Sequence, residues 1–219
     1  MISILIPIYN GIEFIDESVM SVINQTYQHW EVLIGVNGHP ENSSVYQQAK
    51  IYESKDHRIK VFDFYNISGK SNTLNHMISL CKYDHISLLD VDDVWHIEKL
   101  NIQSKFLNYD VIGTRCVYFG QMNGIVPDIP LGDINSFDFK KVNPIINSSC
   151  IIKKDLAYWD SSFDGVEDYE LWVRLWKQQK TFYNCSQIAV KHRIHATSAF
   201  NTQTPVSYTH LRAHETVRN

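Results

Sequence analysis

Ile2 to Ile8 is an almost unbroken apolar run, the pattern of a strand covered on both faces in a parallel sheet. After the turn residues Tyr9-Asn10-Gly11, the apolar positions Ile12, Ile15, Val19, Val22 and Ile23 recur at steps of three and four, which predicts one face of a helix. Trp30 to Val36 reads as the next strand, ended by Asn37-Gly38-His39-Pro40. Ser43 or Ser44 can cap a second helix ending near Ser54, and Ile59 to Phe64 makes a third strand. Gly69-Lys70-Ser71-Asn72 opens a third helix carrying Leu74, Met77, Ile78 and Cys81, which leads into an apolar strand from Ile86 to Leu89. Strands alternating with helices predict right-handed crossovers and a mostly parallel sheet.

The second half is patterned less regularly. The spacing predicts a helix over 97–107, a strand over 111–119, a strand from Ser148 to Ile152 and a short helix over 153–158. Gly124, Pro127, Pro130 and Gly132 break the region between Gly120 and Asn143 into loops with room for a short helix. Leu171, Trp172, Leu175 and Trp176 follow helical spacing and put Glu167 and Asp168 at the mouth of a helix; Phe182–Cys185 and Ala189–Arg193 read as two final short strands. From about Thr204 no apolar period remains to bury, and residues 204–219 read as translated adapter sequence on a truncated frame, a non-native tail excluded from fold reasoning.

The chemistry concentrates where the Ile86–Leu89 strand stops, at Asp90, Asp92 and Asp93. On an extended backbone, side chains two apart point the same way, so Asp90 and Asp92 face one site while Asp93 turns off it. Carboxylates crowded this way suit Mg²⁺ or Mn²⁺, and Mg²⁺ is usually held by one or two carboxylates plus substrate phosphates. A solvated acidic turn is the bland alternative. Ligands of open parallel sheets sit beyond the carboxyl ends of the strands, which is where these acids lie. For Glu167 and Asp168 the alternative is helix-dipole complementarity alone.

Composition narrows the classes. Twenty Lys and Arg against 24 Asp and Glu give a net charge of −4 with no basic block, which argues against nucleic acid as the main partner. No apolar run approaches the roughly 20 residues of a membrane span. Cys81, Cys116, Cys150 and Cys185 form no C-x-x-C pair, so neither a zinc site nor a disulfide framework is indicated, and reduced buried thiols in a cytoplasmic protein are expected.

In order and spacing, several segments together resemble the inverting nucleotide-sugar glycosyltransferases of family 2, whose fold is called GT-A. They are Ile6-Pro7-Ile8-Tyr9-Asn10-Gly11, Val22-Ile23-Asn24-Gln25-Thr26-Tyr27, Trp30-Glu31-Val32-Leu33-Ile34, Gly69 to Asn75, Leu89-Asp90-Val91-Asp92-Asp93, Phe163-Asp164, Glu167 to Trp172 and Arg193-Ile194-His195. The resemblance implies a Rossmann-like, mostly parallel sheet flanked by helices with a smaller antiparallel C-terminal part. It implies a single domain over 1–203, with residues 1–95 holding the nucleotide-sugar and 96–203 serving the acceptor and catalysis.

It implies roles as well. Asp90 faces the ribose or the metal, Asp92 is the direct ligand of a Mn²⁺ or Mg²⁺ ion bridging the diphosphate, and Asp93 is an orienting group or a replacement ligand. His195 lies near the diphosphate or metal, or is a satisfied surface histidine. Asp168 corresponds to the catalytic base, with Glu167 orienting it or meeting the acceptor. Pro7, Tyr9 and Asn10 line the donor pocket, although Pro7 could equally end a strand and Tyr9 could be core. Lys70 supports the phosphates or covers the helix start.

One departure stands out. Where the family commonly shows Asp-Asp-Gly-Ser, this chain has Val36-Asn37-Gly38-His39; Asn37 can donate as well as accept, so a uracil contact survives but the choice of base is open. The expected donor is a UDP-sugar, and the acceptor a glycan, a lipid-linked or a protein hydroxyl, with any membrane association peripheral and through that acceptor. The Gln-x-x-Arg-Trp motif of processive members is absent, which favours transfer of single sugars. An idle donor-binding scaffold of the same fold is the competing reading. A sugar nucleotidyltransferase or a dinucleotide-binding dehydrogenase would need a Gly-rich loop where Ile8-Tyr9-Asn10-Gly11 stands.

Overall fold

A computed structural model describes residues 1–196, so the expected tail at 204–219 lies outside the described residues. Strand β1 (Ile2–Ile8) is the centre of the first half. Its even-numbered isoleucines enter one apolar cluster and Leu5 enters the other, so the strand is covered on both faces. Strand β2 (Trp30–Asn37) repeats the pattern: Trp30, Val32, Ile34 and Val36 join the first cluster and Leu33 the second. Helices α1 (Ile15–Ile23) and α2 (Ser44–Lys50) cover the first face. Helix α3 (Lys70–Leu80) and, from the second half, α5 (Glu167–Lys177) cover the other. Gly35 belongs to this second face: a Cβ there would meet Met77 at 2.7 Å and Phe64 at 2.8 Å, so its absence lets α3 pack close.

Strands β3 (Ile59–Phe64), β2, β1 and β4 (His85–Leu88) are parallel neighbours, with Ile2 opposite both Trp30 and His85. The sheet continues through β8 (Ile151–Lys153), β6 (Val111–Gly120), β9 (Phe182–Ile194) and β5 (Val94–Trp95), in the order β3-β2-β1-β4-β8-β6-β9-β5; the two-residue β7 (Gly132–Asp133) also pairs with β9. β8 runs antiparallel to β4 and β6, while β6 and β9 are parallel. The carboxyl ends of β1, β2 and β4 therefore emerge at one edge of the sheet.

The differences from expectation fall mostly in the second half. The two last strands are one, β9, whose ladder with β6 shifts register around Arg115 where Ser186, Gln187 and Ile188 bulge into solvent. The strand expected from Ser148 begins only at Ile151, because Asn147–Ser149 wind into a 3-10 turn closed by Cys150 N–H to Asn147 O. The helix expected over 97–107 is α4 (Lys99–Gln103) followed by a 3-10 turn, and the short helix over 153–158 is a 3-10 turn at Lys154–Leu156. Between Gly120 and Asn143 the regular element is the strand β7, not a helix. Among the described residues no helix is long and apolar enough to cross a membrane.

Candidate active site

The acidic segment is a turn. β4 ends at Leu88, and Asp93 N–H donates to Asp90 O at 3.0 Å, so the three carboxylates are distributed by this turn and not by strand alternation. Asp90 is held on both oxygens: Oδ1 accepts from Lys70 Nζ at 2.8 Å, and Oδ2 from Asn147 Nδ2 at 3.0 Å and Ser148 Oγ at 3.2 Å. Burial opposes its charge, but Lys70 and Asn147 outweigh that and hold its pKa below the usual carboxylate value. Asp92 lies 2.9 Å from His195 Nε2. Burial, then the nearby Asp93 and Asp90, push its pKa up against the His195 contact. Asp93 is fully buried, with Oδ1 accepting from Arg193 N–H at 2.9 Å and Oδ2 facing His192 Nδ1 at 3.0 Å. Burial works against charge on His192, yet Asp93 leads the neighbouring carboxylates in raising its pKa to about 9.

The second acidic group arrives from α5, whose first residues are Glu167 and Asp168. Lys70 joins it to the first, its Nζ lying 3.5 Å from Glu167 Oε1 as well as 2.8 Å from Asp90. Burial disfavours the ammonium, but Asp90, Glu167 and Asp168 together raise its pKa. The backbone beneath is shaped for this meeting. Gly69, at φ +87°, precedes α3, and a Cβ there would sit 2.6 Å from Asp164 Oδ2. Asp164 Oδ1 accepts from Ser71 N–H at 3.2 Å and from its hydroxyl, so the segment before α5 caps the start of α3.

Asp168 Oδ1 accepts from Tyr169 N–H at 2.7 Å and Oδ2 from Asn143 Nδ2 at 3.1 Å. Burial first, then the Glu167 charge, push the Asp168 carboxyl up to about 6 against Lys70 and these donors. At the donor edge, Pro7 lies within β1 opposite Gly35, and Tyr9 is 58% exposed, so it is not core. His39 Nε2 is 2.6 Å from Tyr9 O, and the two rings lie 5.7 Å apart. Asn10 is exposed, whereas Asn37 is 4% exposed.

The predicted residues thus divide into Asp90, Lys70, Glu167 and Asp168 around one ammonium, Asp92 with His195, a buried Asp93, and Pro7, Tyr9, Asn10 and Asn37 along the neighbouring strand ends. Sequence reasoning missed Asn143, Asn147, Ser148 and His192. The available signal was the polar triplet Asn147-Ser148-Ser149 set inside an apolar run, which a buried strand has no use for.

The model of the family described as "Glycosyl transferase family 2" matches residues 3–155, a span holding the donor edge and all three carboxylates of the acidic turn. The chain belongs to glycosyl transferase family 2. Among the proteins it is similar to, the O-antigen biosynthesis glycosyltransferase WbnJ of Escherichia coli is 27% identical over 207 residues, 89% of this chain and 80% of that protein. The E. coli UDP-Glc:alpha-D-GlcNAc-diphosphoundecaprenol beta-1,3-glucosyltransferase WfgD is 26% identical, covering 90% and 79%. In fold, the chain is similar to S. aureus TarS 1-349 in complex with UDP-GlcNAc, with TM-score 0.73, 17% identity and coverage of 93% and 61%. It is also similar to the mannosyltransferase PcManGT of Pyrobaculum calidifontis in complex with GDP-Man and Mn²⁺, with TM-score 0.70, 12% identity and coverage of 90% and 58%. The chain spans about 60% of the length of these solved chains. The fold is GT-A, as the family 2 resemblance implied.

Proposed function

We propose that this chain moves a single sugar from a nucleoside-diphosphate donor to an acceptor hydroxyl with inversion at the anomeric carbon. The observation that carries the reading is the Lys70 ammonium, which touches a carboxylate from the acidic turn and one from the mouth of α5, so the two acidic groups meet at one place. The Asp168 carboxylate takes the proton of the acceptor hydroxyl as that oxygen attacks the anomeric carbon. The bond from that carbon to the diphosphate breaks on the opposite face, its electron pair leaving on the phosphate oxygen. With a pKa near 6, Asp168 is mostly ionised at neutral pH and a stronger base than an ordinary carboxylate. Glu167, bonded to Gly165 N–H at 2.6 Å and facing Lys70, orients its neighbour.

Among the described residues no three His, Cys, Asp or Glu side chains converge on a metal position. Asp92 and His195, which stand 2.9 Å apart, would hold a cation together with phosphate oxygens of the donor, a donor set that fits Mn²⁺ or Mg²⁺. Such a cation, when bound, would neutralise charge on the departing diphosphate. With both oxygens engaged internally, Asp93 orients the turn through His192 and Arg193. Residues 1–95 hold the donor and 96–203 serve the acceptor. Structures of the same fold hold UDP-GlcNAc and GDP-Man, and a UDP-sugar is the donor proposed here. WfgD is named for a diphosphoundecaprenol acceptor, which supports a lipid-linked acceptor reached from the membrane surface.

The test is purified protein incubated with Mn²⁺ and a panel of UDP-, GDP-, CMP- and dTDP-sugars, read by release of nucleotide. Asp168→Asn should cut turnover by roughly 10²–10⁴ while leaving donor binding intact. Equal turnover in variant and parent removes Asp168 from its role, and no release from any donor favours the idle scaffold.

A further inference from the structure

The segment leading into β8 touches both acidic groups, with Asn147 and Ser148 on Asp90 and Asn143 on Asp168. We propose that Asn143 is a positioning residue that aims the Asp168 carboxylate at the acceptor hydroxyl and holds it ionised. The inference rests on the reading of Asp168 as the base.

The orientation of the amide is determined. Ile145 N–H, which can only donate, meets the Asn143 side chain at 3.2 Å, so the atom it meets is the oxygen Oδ1. The NH₂ group must then face Asp168 Oδ2, at 3.1 Å. A donor at that position favours the anion and offers nothing to the protonated acid's O–H. The other carboxylate oxygen is held by Tyr169 N–H of the same helix, so a remote segment and the helix itself fix the plane of the carboxylate together.

Asn143 is itself anchored. Pro144 O accepts from the buried Asn184 Nδ2 at 2.8 Å, and Ile145 is 1% exposed within the second apolar cluster. The space for this anchor comes from Gly113 of β6, where a Cβ would collide with Asn184 Oδ1 and come within 3.2 Å of Ile145. Asn143 itself remains half-buried. The other groups acting on Asp168 are Glu167 from its own helix, Lys70 from α3 and the Cys150 thiol ahead of β8. Asn143 is the donor that comes from a part of the chain outside both acidic groups.

The decisive variant is Asn143→Asp, which keeps the size and an acceptor for Ile145 N–H but replaces the donor with a second carboxylate. The ascending limb of kcat/KM against pH, expected near 6 in the parent, should move up by about two units, and the rate at pH 7 should fall roughly tenfold with donor KM unchanged. Asn143→Ala should move the limb in the same direction by less, and it supplies the reading should the Asp variant not fold. Folded variants whose limb stays at the parent's position overturn the proposal. ¹³C NMR titration of the Asp168 carboxylate, in parent and Asn143→Ala, reads the same shift without turnover. A parent that transfers no sugar sinks the base assignment, whereas identical Asp168 titrations sink Asn143 alone.

Discussion

Lys70 and Glu167 lie almost a hundred positions apart, yet the ammonium of one stands 3.5 Å from the carboxylate of the other while donating to Asp90 at 2.8 Å. A cation so placed shields the two acids from each other. The sequence left two roles for this lysine, phosphate support or cover for a helix start, and its side chain is turned toward the acids. Replacing it with methionine keeps the length and removes the charge. Lys70→Met should weaken nucleoside-diphosphate binding by about 10- to 100-fold, since a charged hydrogen-bonded partner is lost from a partly buried site. Calorimetry with UDP and Mn²⁺ measures it, and an unchanged affinity would confine Lys70 to structure.

The parent enzyme should itself show a pH limb. As the proposed base, Asp168 would have to be ionised to accept a proton, and burial with Glu167 places its pKa at about 6. The rate should therefore rise with pH up to roughly one unit above that value and then level. Because Lys70 lowers the Asp168 pKa, Lys70→Met should move the limb upward. A limb that moves down, or none between pH 5 and 7, would contradict the electrostatics proposed for the site.

The legible part of this protein is the part in which neighbours in sequence are neighbours in space. β1, β2 and the start of α3 are readable because doubly covered strands leave long apolar runs and because Gly69 announces a helix start. The acidic turn was readable as a cluster of charge, although its geometry is a turn and not an extension of β4. What the pattern did not carry is contact across the chain. Asp164 belongs to a segment that carries the family resemblance, but its place as the cap of α3, 93 positions away, is not legible there. Asn143, Asn147 and Ser148 sit among isoleucines and cysteine in a stretch whose apolar content suggests strand, and only Asp90 and Asp168 explain their polarity. The single long β9 was divided because its bulge exposes Ser186 and Gln187, which resemble a turn in composition.

Gly69 gives a test of how tightly the two halves are joined. Its φ of +87° is costly for any residue with a Cβ, and the added atom would stand 2.6 Å from the Asp164 carboxylate that caps α3. Gly69→Ala should therefore cost about 1–3 kcal/mol, a fall in Tm of some 3–10 °C for a chain of this size, through backbone strain and a displaced cap. Asp164→Ala should lose only the cap, about 1 kcal/mol. Thermal melts of the two variants and their combination decide the matter. A double variant no worse than Gly69→Ala alone would show that the glycine acts by admitting Asp164, whereas additive losses would mean that the two act independently.

Lys99 is a fully buried lysine whose ammonium lies 3.8 Å from the centre of the Trp95 ring and 3.3 Å from Ser87 Oγ, with no carboxylate paired to it among the described residues. Burial lowers its pKa to about 7, against about 10.4 for a free lysine. Between those two values the unfolded chain holds a proton that the folded one has released, so this group makes the folded state more stable as pH rises from 7 toward 10. Below 7 both states are charged and the dehydration penalty is present in full. The Trp95 face offsets part of that penalty, by about 2 kcal/mol for a desolvated cation–π contact. Lys99→Met, similar in volume and free of charge, should raise the melting temperature at pH 7. Its advantage over the parent should shrink when both are melted near pH 10, because the folded parent's lysine is then neutral and giving up the proton that the unfolded chain holds costs little so near the free pKa. An advantage of equal size at both pH values would show that the buried charge is not what the substitution relieves, and that packing around Trp95 accounts for the change instead.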